Sequence, residues 1–229
     1  MGKILKIISG IPLFSSLSED QLKAIQRIAI DKQFVKGESL ITEGDKGSGF
    51  FIIISGQVKI YKVSAEGKEQ ILHIYGPGQP FGEVPVFAGQ RFPANAMALS
   101  KMRVLFLPRK AFFKLIEDNP TLALKMLAVM SAKLREFTIQ IENLSLKEIP
   151  ARLATYLIYL SEEQGNHNFV DLTISKGQLA SLLGTIPETL SRIFAKLTSQ
   201  NLIRVEGRKI HLLDHQTLED LAESGRESG

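Results

Sequence analysis

LTISKGQLASLLGTIPETLSRIFAKLTSQNLIRVEGRKIHL, residues 172–212, reads as two short helices joined by a tight turn and followed by a small β wing. The spacing predicts a first helix over residues 178–183, with Leu179, Leu182 and Leu183 on its apolar side, and Gly184 lets the chain turn sharply after it. Thr185 is the expected N-cap of the second helix, Pro187 suits its first turn, and Glu188 stands where a capping box needs a carboxylate. That second helix is predicted to run to about Ser199.

Leu190, Ile193, Phe194 and Leu197 recur at helical spacing and must face a core, which leaves Glu188, Thr189, Ser191, Arg192 and Lys196 facing out. The early residues of a reader helix are the ones that enter the major groove of DNA. Glu188 can accept a hydrogen bond from a cytosine amino group, and Arg192 can donate two to guanine O6 and N7. Thr189 and Ser191 can contact bases or phosphates; Thr185, Pro187, Lys196 and, in the wing, Arg208 complete the candidate DNA contacts. Residues 172–212 hold six basic side chains against two acidic ones, a balance that nucleic acid rewards through counterion release. The alternative for any one of these side chains is an ordinary solvated helix face.

The rest of the chain bounds the possibilities. Its 229 residues suffice for two domains with real cores, and the net charge of +4 agrees with a polyanionic partner without establishing one. No cysteine is present, which excludes disulfides, thiolate zinc sites and cysteine-ligated iron–sulfur clusters. His73, His167, His211 and His215 are scattered without metal spacing, and no nucleophile–base group or Walker loop points to an enzyme. No apolar run is long enough for a membrane span and no cleavable signal pattern stands out, so a soluble cytoplasmic protein with no membrane partner is expected.

Toward the N-terminus, residues 34–107 consist of short alternating or apolar runs punctuated by glycine, the pattern of a small antiparallel barrel or jelly roll. Gly82-Glu83 opens a segment, predicted irregular, that closes on Gln90-Arg91-Phe92-Pro93-Ala94. A carboxylate that accepts from a ligand hydroxyl and a guanidinium that clamps an anion then flank a candidate effector pocket. The alternative is a salt-bridged connection between strands.

Helical pattern resumes near Pro108, breaks at Asp118-Asn119-Pro120, and continues to about Ser145. Leu127, Met130, Leu134, Phe137, Ile141 and Leu144 follow alternating spacings of three and four, a stripe suited to pairing with a second copy of the same helix, or to burial against the barrel. Three parts are expected: an effector-sensing domain over 1–119, a dimerisation helix over 120–145, and a winged helix-turn-helix domain over 146–229. A hinge is expected to start at residues 145–147, a first reader-domain helix over 148–160, a loop over 161–169, and a fraying tail after Leu218.

In this order the parts resemble the CRP/FNR superfamily of bacterial transcription regulators over nearly the whole chain. The resemblance rests on Gly82-Glu83 followed by Arg91, which matches the family's sensor cassette, and on Glu188-Thr189-Leu190-Ser191-Arg192, which matches its E-x-x-S-R recognition pattern. It implies an α+β fold: a cyclic-nucleotide-binding-type β-roll, a long dimerisation helix and a C-terminal winged helix-turn-helix. It implies a homodimer bound to palindromic double-stranded DNA, with RNA polymerase as a candidate partner and a small effector as allosteric control. Glu188, Ser191 and Arg192 would read a TTGA or TGA-type half-site, with Pro187 in place of the further side chain some relatives use there.

Relatives that bind cyclic AMP follow the cassette arginine with Ser or Thr and carry a Thr-Ser pair on the long helix. This chain has Phe92 after Arg91 and Phe137-Thr138 on the helix, which argues against cyclic AMP. Residues 91–98, RFPANAMA, resemble the DNR/NnrR/HcpR group, regulators that respond to nitric oxide or nitrosative stress, some through haem. The cofactor stays open: haem fits these exclusions better than a cysteine-ligated cluster does, and His73 is either its ligand or, the preferred reading, an ordinary strand histidine. The competing functions are a cyclic-nucleotide-responsive regulator and a haem- or small-ligand-binding protein that does not read DNA.

Overall fold

The computed structural model describes residues 3–11, 14 and 17–224. Helices α1 (Lys3–Ser9) and α2 (Glu19–Ile28) precede strands β1 (Ile30–Phe34), β2 (Ser39–Ile41), β3 (Gly49–Ser55), β4 (Val58–Val63), β5 (Glu69–Tyr75) and β6 (Pro80–Phe81). Helix α3 (Val84–Ala88) follows, then β7 (Asn95–Ala98), β8 (Met102–Pro108), α4 (Arg109–Asp118) and the long α5 (Pro120–Leu146). The remainder comprises α6 (Ile149–Gln164), β9 (Phe169–Asp171), α7 (Lys176–Leu182), α8 (Pro187–Ser199), β10 (Ile203–Glu206), β11 (Lys209–Leu212) and α9 (His215–Ser224). Two compact units divide the chain after Lys133, part-way along α5.

The first unit is a β-roll of two antiparallel four-stranded sheets, ordered β1-β8-β3-β6 and β2-β7-β4-β5. Strand β3 shows why the apolar run GFFIIIS is a strand rather than a helix. Successive side chains point to opposite faces. Phe51 and Ile53 enter the core between the sheets, while Phe50 and Ile52 join a second core under α1, α2, α4 and the start of α5. Both faces are covered, so the pattern is continuous rather than alternating. Aromatic contacts close both layers, with Phe51 stacked on Phe81 at 5.1 Å between ring centres and Phe50 edge-on to Phe112 at 4.8 Å.

In the second unit α6 packs on α9, and β10-β11-β9 form a three-stranded antiparallel sheet beside α7 and α8. Several local expectations are corrected. The segment after Gly82 contains a helix, α3. Helix α5 continues through Leu146, across the expected start of the hinge. Of the expected loop at 161–169, residues 161–164 extend α6 and Phe169 begins β9, which gives the wing a third strand. The tail does not fray after Leu218, because Leu218, Leu221 and Ala222 are buried on α9; residues 225–229 of that expectation lie outside the described residues.

Candidate functional site

The turn between α7 and α8 sets the direction of the second helix. Gly184, at φ +72°, follows the C-cap Leu183; its N–H donates to Ser181 at 3.2 Å, and the Thr185 N–H reaches back to Ala180 at 2.9 Å. This is the Schellman pattern, in which a left-handed residue satisfies the last carbonyls of a helix. It draws Thr185 into the end of α7. The expected cap is thereby corrected: Ile186 is the N-cap of α8, without any side-chain capping bond, and Thr185 forms no box with Glu188. The capping box belongs instead to α7, between Ser175 and Gln178, so that helix starts at Lys176 rather than at 178.

Arg152 holds the turn from α6. Its guanidinium donates to the carbonyls of Leu183 at 2.9 Å, Leu144 at 2.7 Å and Lys147 at 2.8 Å. Burial lowers its pKa below the usual arginine value.

On α8, Leu190, Ile193, Phe194 and Leu197 are buried, and Pro187, Glu188, Ser191, Arg192 and Lys196 are exposed. Thr189 and Thr185 are half-buried. Glu188 and Arg192 stand one helical turn apart in the order that favours an ion pair. They nevertheless make none within 4 Å among the described residues, so the hydrogen-bonding groups of both stand exposed. In the wing, Glu206 pairs with Lys209 in register, and Gly207 at φ +65° takes the first of two turn positions, where a type II′ hairpin needs glycine. Arg208 follows it, exposed at the tip. Glu206 is occupied by Arg204 at 3.0 Å and His211 at 3.2 Å, and the hydrogen bond from His211, then its charge, hold the Glu206 pKa below the usual carboxylate value.

The sensor cassette differs from its expected geometry. Gly82 sits at φ +74°, a left-handed conformation strained for any L side chain, so glycine suits the turn that leads into inward-facing Glu83. Glu83 is only 4% exposed, and its carboxylate accepts from Lys133 Nζ at 2.7 Å. The same ammonium donates to the Pro80 carbonyl at 2.7 Å and lies 4.3 Å from the Tyr75 ring centre. A buried carboxylate needs a counter-charge, and α5 provides one from fifty residues away. Arg91 is exposed, with its guanidinium donating to the Gly44 carbonyl at 2.7 Å. It lines a hollow of about 450 Å³ with Lys46, Gly47, Pro85, Gly89, Gln90 and Arg109, and Glu83 is not part of that wall. The two groups therefore do not share the wall of that hollow.

Phe92 is likewise not a pocket wall but part of the core between the sheets, 8% exposed. Phe137 and Thr138 belong to the second unit's share of α5, and the Thr138 hydroxyl donates to the Leu134 carbonyl at 2.9 Å. Sequence reasoning misses Lys133, although a signal for it exists. Leu122, Met126, Val129 and Lys133 form one line along α5, at spacings of four, three and four, and a lysine ending an inward apolar line calls for a buried acid.

His73 pairs with Ile60 across β4 and β5, and its ring lies 4.2 Å from that of Tyr75. Burial, and next the charge of Lys133, lower its pKa to about 4. A haem ligand needs its imidazole aimed into an apolar cavity of haem size. Here the ring packs on Tyr75 beside an ammonium and does not line the 450 Å³ hollow, so these surroundings fit a packed strand histidine and not haem. Among the described residues no group of three or more His, Asp or Glu side chains could hold a metal ion, and no helix is long and apolar enough to cross a membrane.

The lowered pKa has a measurable effect. Between about pH 6.5 and 4 the unfolded chain takes up a proton that folded His73 refuses, so stability falls as pH falls through that window and is unaffected above it. The loss between pH 7 and pH 5 is expected to be about 2 kcal/mol. His73→Gln should remove that part of the slope in urea unfolding; equal slopes in the two proteins would mean that His73 titrates normally in the fold.

Along α5 the second stripe stays outside. Leu127, Leu134, Phe137 and Ile141 are 61%, 67%, 39% and 65% exposed, while Met130 and Leu144 are half-buried.

Comparison with known proteins agrees with this arrangement. Residues 31–119 match the cyclic nucleotide-binding domain model and residues 151–221 the Crp-like helix-turn-helix model. The chain is 30% identical over 183 residues to the transcriptional activator protein anr of Pseudomonas aeruginosa, covering 78% of this chain and 75% of that one. It is 26% identical over 217 residues to a CRP-like cAMP-activated global transcriptional regulator of Mycobacterium tuberculosis, covering 93% and 97%. A solved structure of a CRP/FNR-family transcriptional regulator from Thermus thermophilus superposes with a TM-score of 0.70 at 28% identity, covering 86% and 100%. With its β-roll, long helix and winged helix-turn-helix, the chain belongs to the CRP/FNR family of DNA-binding transcriptional regulators.

Proposed function

We propose that the protein acts as a homodimer paired through the outer stripe of α5, reads an inverted repeat with one α8 in each half-site, and changes its DNA affinity with a small effector other than cyclic AMP. The observation that carries the dimer is the row of exposed Leu127, Leu134, Phe137 and Ile141, since large apolar side chains in one contiguous line on a helix call for a covering partner. Two copies related by a two-fold axis would present two recognition helices to successive grooves. An effector acts by favouring the arrangement of the two readers that fits both half-sites, which is a coupling between sites measurable as differential DNA affinity.

The effector reading follows from the cassette. The Mycobacterium tuberculosis relative is named for activation by cAMP. In this chain Glu83 is committed to Lys133, and Arg91 faces a different hollow, so no carboxylate–guanidinium pair is offered to one ligand. The likeness to nitrosative-stress regulators rests on residues 91–98, of which Phe92, Ala94, Ala96 and Ala98 are buried. Shared packing of the roll accounts for it, so it supports no particular effector.

Light scattering of the Leu134→Glu, Ile141→Glu double variant is expected to report a monomer whose binding to a palindromic duplex is weakened at least tenfold, against a dimer for the unaltered chain. A dimer that survives both charges would refute the α5 interface. Palindrome binding measured with cyclic AMP, haem, or haem plus nitric oxide should be unmoved by the first; a clear cyclic AMP response would overturn the effector reading.

A further inference from the structure

The four histidines show no metal spacing along the chain, yet the second unit brings two of them together. His167 lies in the turn between α6 and β9, and His215 is the first residue of α9. Their rings meet edge to face, 5.8 Å apart between centres and at 73° between planes. Both backbones are tied down. The Asn166 N–H donates to the Ser161 carbonyl at 3.0 Å, and the Asn166 side-chain oxygen accepts from the N–H groups of Asn168 at 3.0 Å and Phe169 at 3.2 Å, so the residues on either side of His167 are fixed. The Asn168 carbonyl then accepts from the Leu212 N–H at 2.9 Å, which joins this turn to the end of β11, just before His215.

The two nitrogens of the His215 ring have unlike surroundings. Nδ1 lies 3.1 Å from the Glu219 carboxylate, one helical turn further on. A carboxylate only accepts, so Nδ1 carries the hydrogen, and in the neutral ring Nε2 keeps a lone pair. That Nε2 is shut off from solvent and has no hydrogen-bond partner among the described residues. Buried polar atoms are nearly always satisfied, so an orphaned lone pair calls for a partner of its own. The carboxylate–imidazole arrangement is also the one that sets the tautomer of a metal-ligating histidine and raises its basicity. His167 is exposed and can turn about its side-chain bonds. Two imidazoles on one tetrahedral zinc, with bonds of about 2.0–2.1 Å, have ring centres about 5 Å apart, so a small rotation of His167 closes the difference.

We propose that His215 Nε2 and the His167 imidazole bind a divalent transition cation of the zinc, nickel or copper class, with Glu219 orienting His215 and water filling the remaining positions. Imidazole suits these ions, whereas magnesium and calcium take oxygen ligands. Two protein ligands, rather than the four of a structural zinc centre, make the site exchangeable. When bound, the ion staples the α6–β9 turn to the start of α9.

The test is calorimetric titration of the full-length protein with zinc chloride, and separately with magnesium chloride, at neutral pH in a buffer that does not chelate. One zinc per chain is expected, and no magnesium. His167→Gln and His215→Gln should each abolish zinc binding, while His73→Gln and His211→Gln keep it. Glu219→Gln should weaken it about 10–100-fold without changing the stoichiometry, as loss of an orienting carboxylate does. X-ray absorption of the zinc-loaded protein should count two imidazole ligands. Thermal unfolding without metal shows whether each variant is folded, and the exposed His167 is the safer of the two substitutions. Zinc binding that persists in His167→Gln would overturn the paired site, as would the absence of stoichiometric zinc from the unaltered protein. A magnesium response equal to that of zinc would overturn the imidazole ligands.

Discussion

Replacing Lys133 with alanine is expected to lower folding stability by about 3–5 kcal/mol, because it strands the buried Glu83 carboxylate without its counter-charge and the Pro80 carbonyl without its donor. A surface ion pair would cost about 1 kcal/mol or less. The difference lies in burial, as the two side chains are 11% and 5% exposed. Glu83→Gln alone should also destabilise, since its amide oxygen can still accept from the ammonium but leaves the buried Lys133 charge unbalanced. In the Lys133→Met, Glu83→Gln double variant no charge is left in the site and the volume is nearly kept, so most of the loss should be recovered. Urea unfolding of the unaltered protein, Lys133→Met, Glu83→Gln and their double variant closes the cycle and gives the coupling directly. A Lys133→Ala cost below about 1 kcal/mol would mean that water reaches Glu83 and that the pair is not the keystone of the cassette.

Arg192→Ala is expected to erase discrimination between the preferred palindrome and a scrambled duplex. A bidentate arginine–guanine contact is worth about 1–3 kcal/mol. Two half-sites double that to about 2–6 kcal/mol, or roughly 30-fold to more than 10⁴-fold in the selectivity ratio. Arg192 is exposed and makes no bond within its own chain among the described residues, so its removal should leave the melting temperature almost unchanged. Lys196→Ala serves as the contrast. If the Lys196 ammonium, in the last turn of the helix, meets phosphate, its removal should weaken both duplexes alike and reduce the salt slope by about one per subunit. Equal selectivity in Arg192→Ala and the unaltered protein would remove α8 as the reader.

Much of the reader is legible because its information is local. The apolar line Leu190, Ile193, Phe194 and Leu197, the turn at Gly184 and the end of α8 at Ser199 follow from periodicity and backbone preference within a few residues. The N-cap lies one residue later than composition predicts, for an equally physical reason. Composition favours Thr185, but the closing bonds of α7 draw its N–H to Ala180, and only the geometry of the preceding helix reveals that competition. The same competition hides Ile186, an exposed apolar residue that propensity alone does not mark as unusual. Strand β9 escapes the sequence because three residues carry too little periodicity, and its pairing with β11 is a contact between segments about forty residues apart.

The order of the parts, the strands of the roll and the inward face of the recognition helix could be read from the chain alone, since each follows from side-chain period and turn chemistry along one segment, whereas the α5 stripe could have faced either way until the fold left it outside. Only the tertiary structure decided what the cassette does with its charges. Glu83 and Arg91 are eight positions apart and suggest two walls of one pocket, yet the fold turns the first inward to Lys133 and the second outward to the Gly44 carbonyl. A carboxylate's partner is set by which charge can follow it out of water, and that charge came from a helix fifty residues further along the chain.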